Sequence, residues 1–341
     1  MKQICLSQPA SLDQLKLVAT NEPRRPGPGE VLVRVRASSL NFHDYAVVVG
    51  RIPAAEGRVP MSDGAGEVVE MGPSIDTPAM QPALTAGDRV VSLFFPRWQD
   101  GAPSRAARVG VPGDHIDGYA AEYVTVPAYA LTRQPKGYTH AQAATLPCAA
   151  LTAWRALIVE GPVQQGEVVV VQGTGGVSLF ALQFAKLAGA TVIATSSSDE
   201  KLERLRQLGA DHVINYRTQP KWARTVTELT DGEGADHVVE VGGPQTLVQS
   251  IHACRTGGHI SMIGVLTGVE GKISTATIMS KNIRLKGITV GSCRHQLDMI
   301  RSIEANALQP VIDRHFPLER IADAFRHQES NAHFGKIVLD I

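Results

Sequence analysis

The stretch 167-EVVVVQGTGGVSLFALQFAKLAGA-190 decides the fold. Val168 to Val171 form a β-branched apolar run, the pattern of a strand buried on both faces. Gly173, Gly175 and Gly176 follow at once, with Thr174 among them. Val177, Phe180, Ala181, Phe184, Ala185 and Ala188 then recur at helical spacing, and Gly189 ends the helix. Strand, glycine turn and helix in this order let backbone come close to a pyrophosphate, whose charge then lies at the positive helix N-terminus. The turn 173–177 is therefore read as a dinucleotide-phosphate site. One position departs from the pattern. Ser178 stands where a third glycine is usual, and it is small enough for helix and strand to pack closely.

Downstream, the same alternation continues. Strand Thr191–Thr195 leads to helix Glu200–Leu208, and strand His212–Tyr216 to helix Lys221–Leu229. Strand Asp236–Val241, helix Thr246–Ala253, strand His259–Gly264 and a sixth strand, Ile283–Val290, complete the series. Strands alternating with helices demand a parallel sheet covered on both faces, here a doubly wound six-stranded one. Upstream, residues 1 to about 125 read as mainly β. Glu30–Ala37 alternates between faces, and Gly64–Met71, Asp88–Leu93 and Tyr119–Val126 are short strands beside glycine or proline. That spacing predicts a partly open barrel. Thr139–Val159 is helix-like but broken by Pro147, Met299–Ala307 is a helix, and Lys336–Ile341 is a strand that returns to the first domain. The expected division is 1–125 with 296–341 as the substrate domain and 126–295 as the nucleotide domain.

Composition narrows the function. The 341 residues suffice for two full cores. Thirty-three basic residues balance 33 acidic ones, so no net field favours nucleic acid or an anionic membrane. No apolar run approaches a membrane span and the first residues lack a signal-peptide core, which predicts a cytoplasmic protein. Cys5, Cys148, Cys254 and Cys293 are widely spaced, which argues against a disulfide framework and a structural zinc knuckle.

Several segments carry a family resemblance. They are NFHDYAVVVGRIP at 41–53, DGAGEV at 63–68, AGDRV at 86–90, LPCAALTAW at 146–154, the 171–201 stretch and LGADHVIN at 208–215. Together they resemble the medium-chain dehydrogenase/reductase superfamily over essentially the whole chain. The chain is most similar to the zinc-independent, quinone oxidoreductase-like branch, and also to bacterial proteins loosely called alcohol dehydrogenases. The resemblance implies a GroES-like barrel domain beside the Rossmann domain. In zinc-dependent members a Cys, a His and a second Cys hold the metal, and those positions fall here on Asn41, Ser62 and Cys148. An amide, a hydroxyl and one thiol make a poor zinc set, so no metal is expected.

The cofactor expected is NADPH. NAD-specific folds end the second strand on a carboxylate for the ribose hydroxyls, and here Ser196 stands there, followed by Ser197 and Ser198. Hydroxyls can donate to a 2′-phosphate, and Lys201 lies just downstream to pair with it. Asp199 and Glu200 weigh the other way, although they suit a helix N-terminus. The resemblance adds Tyr216 at the same end of the cofactor, and Asn41 and Thr152 near the nicotinamide. Gly242, Val265 and Ser292 follow the fourth, fifth and sixth strands, at the strand ends where cofactors bind.

Without a Lewis acid, alcohol oxidation is difficult, whereas quinones and α,β-unsaturated carbonyls spread incoming charge over a conjugated oxygen. The expected substrate is therefore a small carbonyl, quinone or enone. His43 occupies the relay position of the zinc enzymes and is the candidate proton donor, with Tyr45 as a second. Phe94, Phe95, Trp98 and Trp154 are candidate wall residues. The polar loop Arg97–Asp114 reads equally as a flap or as a solvated loop. Two rivals stand beside this reading: a zinc-free alcohol dehydrogenase or aldehyde reductase using His43, and an NADPH-binding redox sensor or structural protein without turnover. A homodimer is expected, because an apolar sixth strand at a sheet edge needs cover.

Overall fold

The computed structural model describes residues 1–74 and 80–341. The chain divides into two compact units, Met1–Leu151 with Val290–Ile341, and Thr152–Thr289.

The second unit holds a six-stranded sheet. Across it the strands run His212–Asn215, Thr191–Ser196, Val168–Gln172, Ala235–Glu240, Cys254–Met262 and Arg284–Gly287. Every neighbouring pair is parallel. The order third, second, first, fourth, fifth, sixth is that of a doubly wound Rossmann sheet, with its switch point between the first and fourth strands. Val169, Val170 and Val171 are wholly buried, as a strand covered on both faces requires. Helix Gly176–Leu187 buries Leu179, Phe180, Ala181, Leu182, Phe184 and Ala185. Each large apolar side chain there contributes about 1.5–3 kcal/mol. The sixth strand is shorter and more polar than its sequence suggests. Val290 takes a positive φ of 44°, and the paired segment reads Arg-Leu-Lys-Gly, with Arg284 and Lys286 exposed.

The first unit contains the barrel sheet. Its strands run Ile312–Pro317, Lys336–Asp340, Glu30–Ser39, Gly64–Met71, Arg89–Ser92 and Leu131–Arg133, and Tyr123–Pro127 also pairs with Glu30–Ser39. Val31 and Val33 pack with Val68, Val90, Val126 and Leu131. The chain end does return: Val338 lies opposite Ser39 in an antiparallel pair. Residues 126–151 group with this unit because Leu131–Arg133 completes its sheet against Arg89–Ser92. The helical segment after Thr139 alternates α and π turns: His140–Ala144, Leu146–Ala150, Leu151–Trp154 and Arg155–Glu160. The first π turn contains Pro147, which has no N–H for an interior helical bond. Among the described residues, no helix is long and apolar enough to cross a membrane.

Candidate functional site

In the second unit the glycine turn has the geometry a phosphate needs. Gly173 has φ of 73°, a left-handed conformation that disfavours any side chain. Gly175 caps helix Gly176–Leu187 in extended conformation, and its Cβ position faces open space. Gly175 itself therefore puts no side chain over the amides of the first turn. Ser178, at the departing position, is buried and donates from its hydroxyl to the Gln172 carbonyl at 2.6 Å. The departure thus ties helix to strand instead of loosening them.

The other expected cofactor residues of this unit lie at the carboxyl ends of the same strands. Ser196 ends the second strand and is buried. Its neighbour Ser198 is the helix cap, accepting from the Lys201 amide at 3.4 Å, so Ser196 and Ser197 are not used for capping. Asp199 accepts from the Asn215 side chain at 2.7 Å, and the half-exposed Tyr216 follows the third strand. The Gly242 carbonyl accepts from both the amide and the hydroxyl of Thr267, which laces the turn at Gly242 to the exposed Val265 segment. Sequence reasoning passed over Glu240. This wholly buried carboxylate accepts from the Gly242 and Gly243 amides at 2.7 and 2.9 Å, from Thr246 Oγ1 at 2.6 Å and from Gln172 Nε2 at 2.9 Å. A buried charge with that many donors fixes the turn rather than straining it. Thr152 is buried at the start of this unit, and Trp154 packs edge-on against Phe184.

The first unit assembles a buried polar cluster from three distant segments. Asn41, Asp44, Ser62, Asp63 and Lys336 are all less than 7 % exposed. Lys336 Nζ donates to Asn41 Oδ1 and to the Leu40 carbonyl, both at 2.5 Å. Asn41 Nδ2 donates to Asp44 Oδ2 at 3.1 Å and to Ser62 Oγ at 3.3 Å. Asp44 also accepts from the Asn41 amide at 3.0 Å, capping its own helix, and from the Ser62 amide at 2.8 Å. Asp63 is poorly satisfied: Oδ2 accepts from Ser39 at 3.3 Å, and among the described residues Oδ1 has no hydrogen-bond partner. Burial, only partly offset by the Lys336 charge, raises its pKa from 3.8 to about 7. Burial and the Asp63 charge likewise hold the Cys148 thiol well above its ordinary range.

His43 sits beside this cluster in a different setting. Its Nε2 lies 2.9 Å from Asp114 Oδ2, its Nδ1 lies 3.7 Å from Asp44 Oδ1, and Phe94 packs edge-on at 5.1 Å. Burial pulls the imidazole pKa down, but the Asp114 and Asp44 carboxylates outweigh it and raise the value from 6.5 to about 9. Asp114 is held by a turn in which Gly113, at φ 90°, lies so close to Met61 that a Cβ would meet its amide nitrogen at 2.8 Å. The end of the Arg97–Asp114 loop is therefore fixed, as is its beginning, where buried Trp98 accepts from the Cys293 amide at 2.9 Å. Tyr45 points elsewhere. Its hydroxyl donates to Glu329 at 2.6 Å and its ring packs near Phe325. The Ser292 hydroxyl caps helix Cys293–Asn306, accepting from the His295 amide at 3.3 Å. Phe94, Phe95 and Trp98 form a continuous run of rings leading to His43, with centroids 4.9 and 6.2 Å apart.

Two family models match the chain. Residues 27–136 match the alcohol dehydrogenase GroES-like domain, and residues 176–305 match the zinc-binding dehydrogenase domain. A zinc-type alcohol dehydrogenase-like protein of Schizosaccharomyces pombe is 43 % identical over 341 residues, covering 97 % of this chain and 96 % of that one. The chain belongs to the medium-chain dehydrogenase/reductase superfamily. Among solved members, an alcohol dehydrogenase-like protein from Sinorhizobium meliloti 1021 is 38 % identical, with a TM-score of 0.91 over 100 % of this chain and 98 % of that one. An NAD-dependent alcohol dehydrogenase is 33 % identical, with a TM-score of 0.90 and full coverage of both chains.

The superfamily's catalytic zinc position can be tested against these residues. The Asn41 amide is already committed to Lys336 and Asp44, Ser62 Oγ accepts from Asn41, and the Cys148 thiol is held protonated by burial. An ammonium stands among them where a metal would need anionic or neutral donors. Among the described residues, no group of three His, Cys, Asp or Glu is arranged to hold a metal ion. This donor set does not fit zinc.

Proposed function

We propose that this oxidoreductase is a zinc-free, NADPH-dependent reductase of quinones or α,β-unsaturated carbonyls, with the His43 imidazolium as proton donor. The observation that supports the reading is the Lys336–Asn41–Asp44 network, in which the lysine is bonded to Asn41, the residue that the family resemblance aligns with a zinc ligand. The bound nicotinamide supplies hydride. The chain must supply positive charge and a proton where the acceptor becomes an enolate or hydroquinone anion. A histidine with a pKa of about 9 keeps its proton at neutral pH. An enolate is the stronger base, so transfer from His43 still runs downhill. Tyr45 is the weaker candidate because its phenol is engaged by Glu329, which raises its pKa.

Gly173, Thr174, Gly175, Gly176 and Val177 would hold the pyrophosphate. Ser196, Ser197, Lys201 and Tyr216 would take the phosphorylated ribose, with Gly242 and Val265 along the cofactor. The family resemblance assigns Asn41, Thr152 and Ser292 to its nicotinamide end. A solved relative is NAD-dependent, so the case for NADPH rests on this chain's own Ser196. We also propose pairing of two copies along the edge of the Arg284–Gly287 strand. The segment leading into it exposes Leu266, Val269 and Met279 at 57, 85 and 74 %. Light scattering at micromolar concentration should report a dimer, and a monomer would contradict this.

A panel of acceptors with both cofactors tests the activity. Quinones or enones should be reduced with NADPH, and NADH should be at least about tenfold poorer in kcat/KM. The relatives' alcohol dehydrogenase names favour a second reading, reduction of simple aldehydes. Turnover of small aldehydes with none of quinones or enones would establish it instead. Tight NADPH binding with no oxidation across the panel would point to a non-catalytic binder.

A further inference from the structure

Beyond the barrel's polar cluster, the first unit carries a surface cavity of about 440 Å³ whose lining includes Ser104, Arg105, Arg108 and His115. Among the described residues, no carboxylate lines it. Among the described residues, neither Arg105 nor Arg108 makes an ion pair. The Arg108 guanidinium instead lies over the Phe95 ring, 5.7 Å from its centroid. Two chains of side-chain contacts link residues of the cavity to His43. One is the ring run Phe95–Phe94–His43, with centroids 4.9 and 5.1 Å apart. The other passes through a carboxylate: His115 Nδ1 lies 2.6 Å from Asp114 Oδ1, and Asp114 Oδ2 lies 2.9 Å from His43 Nε2.

Two guanidinium groups, an imidazole and a hydroxyl around one cavity make a donor-rich, cationic lining. Arginine forks suit planar or tetrahedral oxyanions, which accept two hydrogen bonds from each. The volume is in the range of small-ligand pockets. We propose that this cavity is the subsite for an anionic group of the substrate, a carboxylate or phosphate ester at the end remote from the reacting double bond. The proposal rests on the reading of His43 as the proton donor, because the contact chains from the cavity end at His43 and set the direction in which the substrate's reactive end would lie. It makes the substrate class an acidic enone or quinone rather than a neutral one.

Three substrates separate the cases: an enone with a terminal carboxylate, its methyl ester, and the same enone with a phosphate ester at that place. The wild type should favour the anionic forms over the methyl ester by about tenfold or more in kcat/KM. The double variant Arg105→Ala/Arg108→Ala should lose that preference, its kcat/KM for the anionic forms falling to about that for the methyl ester. The better of the two anions names the group. Equal rates for all three in the wild type, or a preference that survives in the double variant, would overturn the proposal. A titration with inorganic phosphate, read on the His115 imidazole resonance, works without turnover. A saturable shift in the wild type that vanishes in the double variant supports the subsite even if no enone is reduced, in which case only the reductase reading fails. No shift at any concentration up to about 50 mM rejects the subsite.

Discussion

The turn at 173–177 and the cluster around Asn41 handle charge in opposite ways. The turn is backbone: a left-handed glycine, a glycine-capped helix start and one serine that pins helix to strand. It offers partial positive charge to a ligand that brings its own negative charge. The cluster is side chain: an ammonium and two carboxylates, buried together and cross-linked by an amide. It carries its own cation, and among the described residues no group of three His, Cys, Asp or Glu is arranged there to hold a metal ion. On the proposed zinc-free reading, the difference lets one superfamily fold keep its cofactor turn while the chemistry at its centre changes. The backbone device depends on φ angles that few substitutions respect. The side-chain device is altered by a change at Asn41, Ser62 or Lys336.

The largest expected effect breaks the side-chain half. His43→Ala should lower kcat for enone reduction by about 100-fold or more, the usual contribution of a positioned acid. NADPH affinity should stay within about twofold. A loss confined to NADPH binding would move His43 out of the chemistry. Next comes the cofactor half. Ser196→Asp places a carboxylate where a 2′-phosphate is proposed, and repulsion at that range weakens NADPH by about 100-fold. NADH should be little affected, and equal losses with both cofactors would remove Ser196 from the phosphate site.

A third test sharpens the pH behaviour of His43. With its pKa raised to about 9, the reduction rate should be flat through neutrality and fall as pH rises past about 9. Stability follows the same sign. The raised pKa contributes most below the unfolded value of about 6.5, and that contribution is lost as pH rises through about 9. Asp114→Asn removes one of the two carboxylates, so the alkaline limb should move down in pH. An unmoved limb would show that Asp114 does not act through His43.

The smallest effect concerns Asp63. Its raised pKa means that the folded state resists its ionisation, so stability declines as pH rises from about 4 through about 7. Asp63→Asn should therefore raise Tm by a few degrees at about pH 8 and by much less at about pH 4. An equal change at both pH values would mean that the burial cost lies elsewhere.

Much of this molecule was legible before its structure. The Val168–Ala190 stretch contains its own determinants in contiguous order, so the strand, turn and helix follow from local rules. The six alternating strands of the Rossmann sheet follow from the pattern, though the fifth begins earlier, at Cys254, and the sixth is shorter than read. The polar cluster was only half legible. Asn41, Ser62 and Cys148 could be placed by resemblance, but Lys336 is one basic residue opening an apolar strand, and only the return of that strand beside Glu30–Ser39 brings it to Asn41. In the sequence Asp114 is simply the end of a polar loop. The flanking Gly110 and Gly113 were the available signal, since both take positive φ in a tight turn. The sixth strand was read as apolar because Ile283, Ile288 and Val290 flank it, yet the paired residues between them are Arg284 to Gly287.

The central claim is that hydride transfer here runs on NADPH with a protein cation in place of zinc. It is tested most directly by the rate of enone reduction with NADPH on chelator-treated protein whose metal content has been measured. The account predicts an undiminished rate at less than about 0.1 zinc per chain, with no gain when zinc is restored. A rate that falls with the metal and returns with it would contradict the account.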